Sequence, residues 1–493
     1  MIFLCLNYSL AELIMGVRVS RGTMMSVLQI HRSEKDILQS RAAEIQREIQ
    51  QGERKIFSEV LDLSSGDLHG GGIKPITFVR QVLAACSYPA LLEDQSLPSD
   101  VRQRAEDLLR ECAGGSVGSY SESSGMAKVR ECVCEFISRR DGGVSSSPDN
   151  IFISTGSQTA LMKLLTVLIR PEHSCRTGVL VPEPGYATFR LALQAQQAAV
   201  IPYQLCEDQG WTLQIQELRR ALQSATHICT PAAIYICNPG NPTGHVQSRT
   251  SIEEVIRFAA EEKLFILADE VYQDCVFADE ADFVSYKKVL SEMESPISST
   301  VELASFHSAS KGFMGECGLR GGYVELVNVD PAVQRYIRTL FSTRSCPPVP
   351  GQIAIQLMVD PPKPGDPSFP AFTEEVQSIR DVVCRNVRLI QEVCRELPGV
   401  RCQPLKAGFF VYPRLQIPPK AIKWAKEHQM KADMLYCMRL LEEEGLHVRP
   451  GCEYGQAEDT YHIRLFVGTR ADTMEAALRR LKTFHTRFLE DFS

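Results

Sequence analysis

The sequence predicts an α/β protein with a large domain, built on a mostly parallel seven-stranded sheet sandwiched by helices, and a smaller α+β domain. Three observations lead to this fold class. Seven short apolar runs lie between residues 151 and 327, amphipathic helical stretches separate several of them, and the pattern changes after a proline-rich segment at 361–370. A parallel strand is buried on both faces, so a continuous apolar run is typical of it.

Each apolar run has the length of one strand of such a sheet. The stretch 250–263 places apolar residues at helical spacing and predicts one of the connecting helices. The seven runs are IFIS (151–154), GVLVP (178–182), AVIPYQL (199–205), AAIYIC (232–237), LFILAD (264–269), VELASF (301–306) and GGYVELV (321–327).

Helices are predicted on the amino-terminal side of the sheet. The stretch SEKDILQSRAAEIQREI begins with Ser33 as a helix cap and continues with apolar residues at helical spacing. Further helices are predicted from Pro75, after Asp100 and over 125–140, the last ending before a pair of glycines.

The carboxyl-terminal part predicts the smaller domain. A long helix over about 371–397 precedes two strand-like stretches, FFVYPRL (409–415) and YHIRLFV (461–467), and a final helix. The predicted organisation is therefore a leader at 1–32, an amino-terminal segment of the small domain at 33–104, a large domain at 105–360 and a small domain at 361–493.

The leader is predicted to be peripheral or disordered. Asn7 and Glu12 interrupt its apolar stretch and no basic residue precedes it, unlike a secretory signal or a membrane-spanning helix. Arg18, Arg21 and Arg32 leave a mitochondrial presequence open as an alternative.

The composition of the chain limits the classes of partner that we expect. The net charge is −7, and no basic stripe is present, so we expect neither nucleic acid nor a membrane as a partner. The 17 cysteines show no paired CxxC spacing, which indicates reduced thiols and a cytoplasmic location. Cys132 and Cys134 are too close in sequence for an ordinary metal pair, and we expect no metal site.

Every distinctive motif follows a predicted strand. STGSQTAL (154–161) opens a helix after IFIS, and the free amides near Ser157 and Gln158 would hold a phosphate. NPGNPTG (238–244) follows AAIYIC, and ADEVY (268–272) ends LFILAD. Ligands of doubly wound sheets bind at these strand ends. Neither GxGxxG after the first strand nor GxxxxGK[ST] is present, which argues against a nicotinamide dehydrogenase and a P-loop enzyme.

The stretch SASKGFMGECGLRGG (308–322) surrounds Lys311 with glycines. Taken alone, Lys311 is an exposed loop lysine or an amine that reacts with an aldehyde. Asp269 alone would be a helix cap, and Arg464, within an apolar strand, would point to solvent or be paired.

The ordered set of motifs resembles the fold-type I pyridoxal-phosphate aminotransferases of classes I and II. The resemblance covers the chain from Ser33 to its end, and the strings NPGNPTG, LADEVYQD, SFHSASKGFMGECGLRGGYVE and CPPVPGQ are similar to alanine aminotransferases in particular. It implies pyridoxal 5′-phosphate as the cofactor. It also implies amino-acid and 2-oxo-acid substrates.

The resemblance assigns catalytic roles to three residues. Lys311 would form the Schiff base with the cofactor and shuttle protons. Asp269 would pair with the ring nitrogen of the cofactor. Tyr272, one helical turn after Asp269, would bind the 3′ oxygen of the ring.

It also assigns binding roles. Asn241 would share the 3′ oxygen and lie beside the substrate, Tyr186 would stack on the ring, and Ser308 and Arg320 would bind the phosphate. For the substrate, Arg464 would hold the α-carboxylate through its forked donors. The backbone of Gly66 would approach the same carboxylate.

The implied reaction transfers the amino group of L-alanine to 2-oxoglutarate in a ping-pong scheme, giving pyruvate and L-glutamate. Gly185 and the loop LSSGDLHGGGIKP (63–75) depart from the alanine-specific pattern. Another amino-acid specificity, a lyase of the aminocyclopropane-carboxylate synthase type and a non-catalytic relative therefore stay open as alternatives.

The resemblance finally implies a homodimer. Tyr120, in GSYSESSG (118–125), would reach the cofactor phosphate of the neighbouring subunit. Its local sequence, taken alone, is more typical of an ordinary loop tyrosine.

Overall fold

The computed structural model describes residues 34–169, 175–343 and 345–493. The predicted leader (1–32) and Ser33 lie outside these residues. The strands are β1 (Leu61–Asp62), β2 (Ile151–Ser154), β3 (Arg176–Glu183), β4 (Ala199–Gln204), β5 (Cys229–Cys237), β6 (Phe265–Asp269), β7 (Leu303–Ser308), β8 (Gly322–Val327), β9 (Val400–Arg401), β10 (Phe410–Val411), β11 (Arg414–Leu415), β12 (Leu446–His447), β13 (Arg449–Pro450) and β14 (Ile463–Phe466).

Helices connect and cover these strands. They are α1 (Glu34–Gln50), α2 (Thr77–Ser87), α3 (Ser99–Glu111), α4 (Ala127–Arg140), α5 (Ser157–Leu168), α6 (Ala187–Ala195), α7 (Ile215–Ala225), α8 (Arg249–Glu262), α9 (Tyr286–Glu292), α10 (Ile297–Thr300), α11 (Pro331–Ser342), α12 (Val349–Val359), α13 (Phe369–Glu396), α14 (Pro419–Glu427), α15 (Ala432–Glu444) and α16 (Ala471–Asp491).

The central sheet has seven strands in the order β2-β8-β7-β6-β5-β3-β4. Strands β3 to β7 pair in parallel with one another, and β8 pairs antiparallel with both β7 and β2. Among the described strands of this sheet, β8 alone runs in the opposite direction. The predicted mostly parallel seven-stranded sheet is confirmed, and each predicted run forms one of its strands.

Both faces of the sheet are buried. Alternate side chains of one strand point to opposite faces, and in β5 they pack into two different apolar clusters. In β5, Ile234 and Ile236 pack into an apolar cluster with α7 and α8, whereas Ala233 and Tyr235 pack into a second cluster with α5 and α6. The central strands are therefore apolar on both faces, as the sequence predicts for a sheet covered by helices on both sides.

The smaller part of the fold joins the two ends of the described chain. Strand β1 pairs in parallel with β12, and α1 packs against α15. A three-stranded antiparallel sheet has the order β10-β14-β13. The predicted boundary between residues 104 and 105 falls within α3.

Two local predictions differ from the structure. The sequence predicts one strand over 409–415, but this stretch forms β10 and β11 with Tyr412 and Pro413 between them, because proline has no N–H for the ladder. Tyr272 does not lie one helical turn after Asp269, because the chain bends there at the start of a short 3-10 turn. Among the described residues, no helix is long and apolar enough to cross a membrane.

Candidate active site

The carboxyl ends of the parallel strands open on a cavity of about 300 Å³. The cavity lies where β2, β3, β5, β6 and β7 end, as expected for a ligand site of a doubly wound sheet. All the predicted site residues except Tyr120 line it: Gly66, Ser157, Gln158, Tyr186, Asn241, Asp269, Tyr272, Ser308, Lys311, Arg320 and Arg464.

Lys311 projects into this cavity from the loop that follows β7. Its side chain is half-buried, and Nζ donates a hydrogen bond of 3.0 Å to the carbonyl oxygen of Gly66. Burial lowers the pKa of Lys311, and the nearby positive charge of Arg464 lowers it further, while Cys317 opposes the shift. The interpretation as an exposed loop lysine is wrong, and the amine is suited to act as a nucleophile or a base.

Gly66 is required where Lys311 makes this contact. A Cβ atom on Gly66 would lie 2.7 Å from Cζ of Phe410 and 3.2 Å from Nζ of Lys311. Glycine therefore lets the backbone of the loop 63–75 come close to the amine.

Asp269 ends β6 and its carboxylate is buried. Oδ2 accepts a hydrogen bond of 2.7 Å from the hydroxyl of Tyr235, while Oδ1 has no hydrogen-bond partner in the described part of the chain. Burial raises the pKa of Asp269, and the bond from Tyr235 and the charge of Lys311 act against that shift. No helix begins at Asp269, so the helix-cap interpretation is wrong, and a buried carboxylate oxygen is left facing the cavity.

A recess of the cavity lies at the start of α5, where Gly156, Ser157, Gln158 and Arg320 line it. No side chain caps this helix, so the first amides have no capping acceptor, and Ser157 and Gln158 both line the cavity. Gly156 has φ 83°, and a Cβ atom there would lie 2.5 Å from Nη2 of Arg320. Glycine is thus needed both for the backbone conformation and for the close approach of the Arg320 guanidinium.

Ser308 and Arg320 are held by local contacts around this recess. The Ser308 hydroxyl donates to the carbonyl of Gly321 at 3.1 Å and accepts from the amide of Ser310 at 3.1 Å. Nη1 of Arg320 donates to the carbonyl of Cys317 at 2.6 Å. These bonds fix the positions of both side chains at the edge of the cavity.

Arg464 lies on β14 and is buried, with 6% of its surface exposed. Its guanidinium carbon is 3.7 Å from the ring centroid of Phe410 and 4.7 Å from that of Tyr454, so the group is held between two rings. Nη1 donates to Oδ1 of Asn241 at 3.2 Å and Nη2 to the carbonyl of Ser64 at 2.8 Å.

Arg464 meets no carboxylate within 4.0 Å among the described residues, and Nε has no hydrogen-bond partner there. Burial lowers the pKa of Arg464. The interpretation that Arg464 would point to solvent is therefore wrong, and its partners are the neutral oxygens of Asn241 and Ser64. A buried guanidinium of this kind is suited to bind a carboxylate.

Tyr186 and Tyr272 contribute aromatic rings to the cavity wall. Tyr186 is half-buried immediately before α6, and burial raises its pKa. Tyr272 is buried, its ring packs edge-on against Phe409 with centroids 6.1 Å apart, and Nζ of Lys311 is 5.9 Å from its ring centroid. Both tyrosines line the cavity with Asn241.

Tyr120 does not join these residues. It lies in the loop before α4, and 81% of its surface is exposed in the single chain. Its predicted role across a subunit interface stays a prediction.

Sequence reasoning missed several residues of the cavity wall and its supports. Tyr235 is a hydroxyl-bearing residue within the apolar run AAIYIC, and that signal could have indicated a partner such as Asp269. Arg449, between apolar neighbours in HVRPG, gave a similar signal. Nothing in the local sequence points to Phe410 or Tyr454 as the rings that enclose Arg464.

Residues 59–481 match the family "Aminotransferase class I and II". The chain belongs to this family. Alanine aminotransferase 2 of Xenopus tropicalis is 49% identical over 453 residues, which cover 92% of this chain and 86% of the relative. Human alanine aminotransferase 1 is 47% identical, with coverage of 92% and 91%, and glutamate–glyoxylate aminotransferase 2 of Arabidopsis thaliana is 38% identical, with coverage of 92% for both chains.

Solved aminotransferase structures share the fold. Alanine aminotransferase from Pyrococcus furiosus has a TM-score of 0.73 at 19% identity, covering 95% of this chain and 100% of the other. A mutant of Thermus thermophilus aspartate aminotransferase has a TM-score of 0.70 at 20% identity, covering 94% and 99%. At these identities the likeness concerns the fold alone.

The aminotransferase is an enzyme that depends on pyridoxal phosphate, and the cavity residues fit this cofactor. The partnerless Oδ1 of Asp269 suits a protonated ring nitrogen. The amides that open α5 and the guanidinium of Arg320 suit a phosphate. Lys311, with its lowered pKa, suits the aldehyde.

Proposed function

We propose that this aminotransferase transfers the amino group of L-alanine to 2-oxoglutarate, giving pyruvate and L-glutamate. One observation carries the proposal: relatives named alanine aminotransferase are 47–49% identical over 92% of the chain. The relative named glutamate–glyoxylate aminotransferase is less similar, at 38%.

The proposed binding roles follow from the cavity. Arg464 binds the α-carboxylate that all amino-acid substrates share, because its Nε has no partner in the described chain and its plane is fixed between two rings. Asn241 holds one end of this guanidinium and so sets its orientation.

The proposed proton transfers are assigned to Lys311 and Asp269. Pyridoxal phosphate supplies, when bound, the electron sink that makes the Cα proton of an amino acid acidic. Lys311 would move that proton between the substrate Cα and the aldehyde carbon of the cofactor, in one direction for the amino acid and in the opposite direction for the 2-oxo acid. Its lowered pKa favours the neutral amine, which is the form that accepts a proton. Asp269 would hold the proton of the cofactor's ring nitrogen through Oδ1, which has no hydrogen-bond partner among the described residues.

A panel of amino-acid and 2-oxo-acid pairs tests the specificity. The purified protein should show its highest kcat/KM for L-alanine with 2-oxoglutarate, compared with glyoxylate, oxaloacetate and aromatic pairs. A higher kcat/KM for another pair would overturn the assignment. A product formed without consumption of any 2-oxo acid would instead indicate a lyase, and no reaction at all would indicate a non-catalytic relative.

We also propose a homodimer whose partner subunit completes each site through Tyr120. The exposed aromatic ring on the loop before α4 supports this proposal. Mixed Tyr120→Phe and Lys311→Ala subunits should regain part of the activity, because one site of each mixed dimer then has both an intact lysine and an intact tyrosine. An enzyme that is fully active as a monomer at high dilution would contradict the proposal.

A cytoplasmic location is proposed as well, with a mitochondrial one as the alternative. Every cysteine in the described ranges is a free thiol, as in proteins of reducing compartments. Imaging of the full chain carrying a carboxyl-terminal fluorescent tag, with and without residues 1–32, would decide between the two locations.

A further inference from the structure

Two arginines of the cavity wall meet at one carbonyl oxygen. The oxygen of Ser64 accepts a hydrogen bond from Nη2 of Arg464 at 2.8 Å and from Nε of Arg449 at 3.0 Å. Arg449 and Arg464 are also directly opposite each other in the antiparallel pair of β13 and β14. Side chains at such positions lie on the same face of a sheet, so the two guanidinium groups are neighbours.

This pair lies within reach of the reacting amine. Lys311 donates to the carbonyl of Gly66, two residues beyond Ser64 on the same loop. Two residues span at most roughly 7 Å, so Lys311, Arg464 and Arg449 all donate hydrogen bonds to one short stretch of backbone. Because Arg449 and Arg464 donate to the same carbonyl oxygen of Ser64, a five-carbon dicarboxylate held by Arg464 at one end has a second cation close by.

Arg449 has a donor available for such a ligand. It lines the cavity and is half-buried, and its Nη1 is 2.8 Å from Oε1 of Glu453, which lines the cavity as well. Its Nη2 makes no hydrogen bond to any residue that the structure describes. Glu453 neutralises a guanidinium that would otherwise face the like charge of Arg464, and that like charge also lowers the pKa of Arg464.

We propose that Arg449 is the specificity-determining residue that reads the second carboxylate of the five-carbon substrates, with Glu453 as its internal counter-ion when the substrate side chain is a methyl group. This inference rests on the proposed function, in which one site must accept both alanine and glutamate. With alanine, the Arg449–Glu453 pair presents no unbalanced charge to the methyl group. With glutamate or 2-oxoglutarate, Nη2 donates to the distal carboxylate while Nη1 stays on Glu453.

An alternative role for Arg449 is to support the conformation of the loop 63–75 without contacting the substrate. It could act only by holding the carbonyl of Ser64, and thereby the loop that carries Gly66. Loss of that support would disturb Arg464 and Lys311, and so would affect alanine and glutamate alike. The ratio of kcat/KM for glutamate to kcat/KM for alanine therefore distinguishes the two roles: it falls if Arg449 binds the distal carboxylate and stays unchanged if Arg449 only supports the loop.

The test uses the cofactor-loaded enzyme and Arg449→Met, which keeps most of the side-chain volume. A lost charge-assisted hydrogen bond should lower the ratio of kcat/KM for glutamate to that for alanine by about 10- to 100-fold. The double variant Arg449→Met with Glu453→Gln should keep at least about a tenfold loss, because it removes the repulsion between the Glu453 carboxylate and the substrate as a cause of that loss. Glu453→Gln alone should raise the ratio of kcat/KM for glutamate to that for alanine about threefold or more, because it removes a negative charge that repels the distal carboxylate.

A binding measurement provides a readout other than turnover. Calorimetry with glutarate, a five-carbon dicarboxylate without an amine, should show about tenfold or more weaker binding to Arg449→Met than to the wild type. Butyrate, which has one carboxylate, should not lose affinity to the same extent. Arg439→Met is the matched control, because Arg439 and Glu443 form the same type of pair, four residues apart, on α15 outside the cavity.

The proposal is overturned if Arg449→Met lowers kcat/KM for glutamate and alanine equally, or if glutarate binds the variant and the wild type alike. If the proposed function is wrong, the experiment gives a different result, which can be recognised in the wild type. If the wild type does not use alanine, the ratio is measured against 2-aminobutyrate or whichever apolar amino acid the panel identifies, and the role of Arg449 is tested unchanged.

Discussion

Replacement of Arg464 by lysine tests whether the buried guanidinium holds the carboxylate that all substrates share. Lysine keeps the positive charge but loses the planar fork and the stacking between Phe410 and Tyr454. Each ring contact of a desolvated cation contributes about 0.5 to 2 kcal/mol. The hydrogen bond to the carboxylate contributes about 1.5 to 3 kcal/mol, and lysine retains part of it.

The ring contacts are present in the free enzyme and in the transition state alike, so their loss lowers stability, and the expected cost to transition-state binding is the hydrogen-bond loss of about 1.5 to 3 kcal/mol. kcat/KM should therefore fall about 10- to 150-fold. Because alanine, glutamate and both 2-oxo acids carry an α-carboxylate, the fall should be the same for all of them within about threefold.

Half-reactions measured separately with each amino acid and each 2-oxo acid provide the assay. Cofactor retention, followed by visible absorbance, and the melting temperature show whether the variant still folds and binds cofactor. A loss confined to glutamate and 2-oxoglutarate would refute the reasoning, since Arg464 would then read the distal carboxylate. A fall of less than about threefold for every substrate would refute it too, and Arg439→Lys, outside the cavity, serves as the control.

The remaining predictions concern Lys311, Asp269 and Glu270. Borohydride should fix the cofactor to the peptide that contains Lys311, and Lys311→Ala should bind cofactor but lose several orders of magnitude in transamination; a label on another lysine would exclude the assignment. Asp269→Asn should lower kcat by about 10² or more, and a near-normal kcat would show that its charge has no electronic role. Burial raises the pKa of Glu270 to about 7, so its folded form keeps a proton that the unfolded chain has already released. Stability should then decrease by about 3 kcal/mol relative to Glu270→Gln as the pH rises from 4.5 through 7, and a pH-independent difference between the two urea-unfolding curves would contradict this.

The sequence could predict the sheet because burial on both faces leaves a strong pattern. The run 151–154 matches β2 at both ends, and β6 begins one residue after its predicted start. β5 begins three residues earlier than the apolar run, since its first residues include Thr230 and Pro231. The reversed direction of β8 could not be predicted, because the loop of 13 residues before it, 309–321, is compatible with either direction.

The cofactor residues could be predicted because the resemblance to a known family rests on motifs that are short and local. Asp269, Ser308 and Lys311 lie at or just beyond a strand end, so their positions follow once the strands are known. The partnerless Oδ1 of Asp269 and the lowered pKa of Lys311 required the structure, because both depend on how deeply the side chains are buried.

The substrate side of the cavity could not be predicted, because its contacts join distant parts of the chain. Ser64 lies 400 residues before Arg464 and 385 before Arg449, and all three meet at one carbonyl oxygen. The sequence shows the loop 63–75 only as a departure from the alanine-specific pattern. In the structure the backbone of that loop accepts hydrogen bonds from three cations, so its conformation sets the spacing between the reacting amine and the carboxylate-binding groups. Substitutions in this loop should therefore change which substrate is preferred before they change whether the reaction occurs.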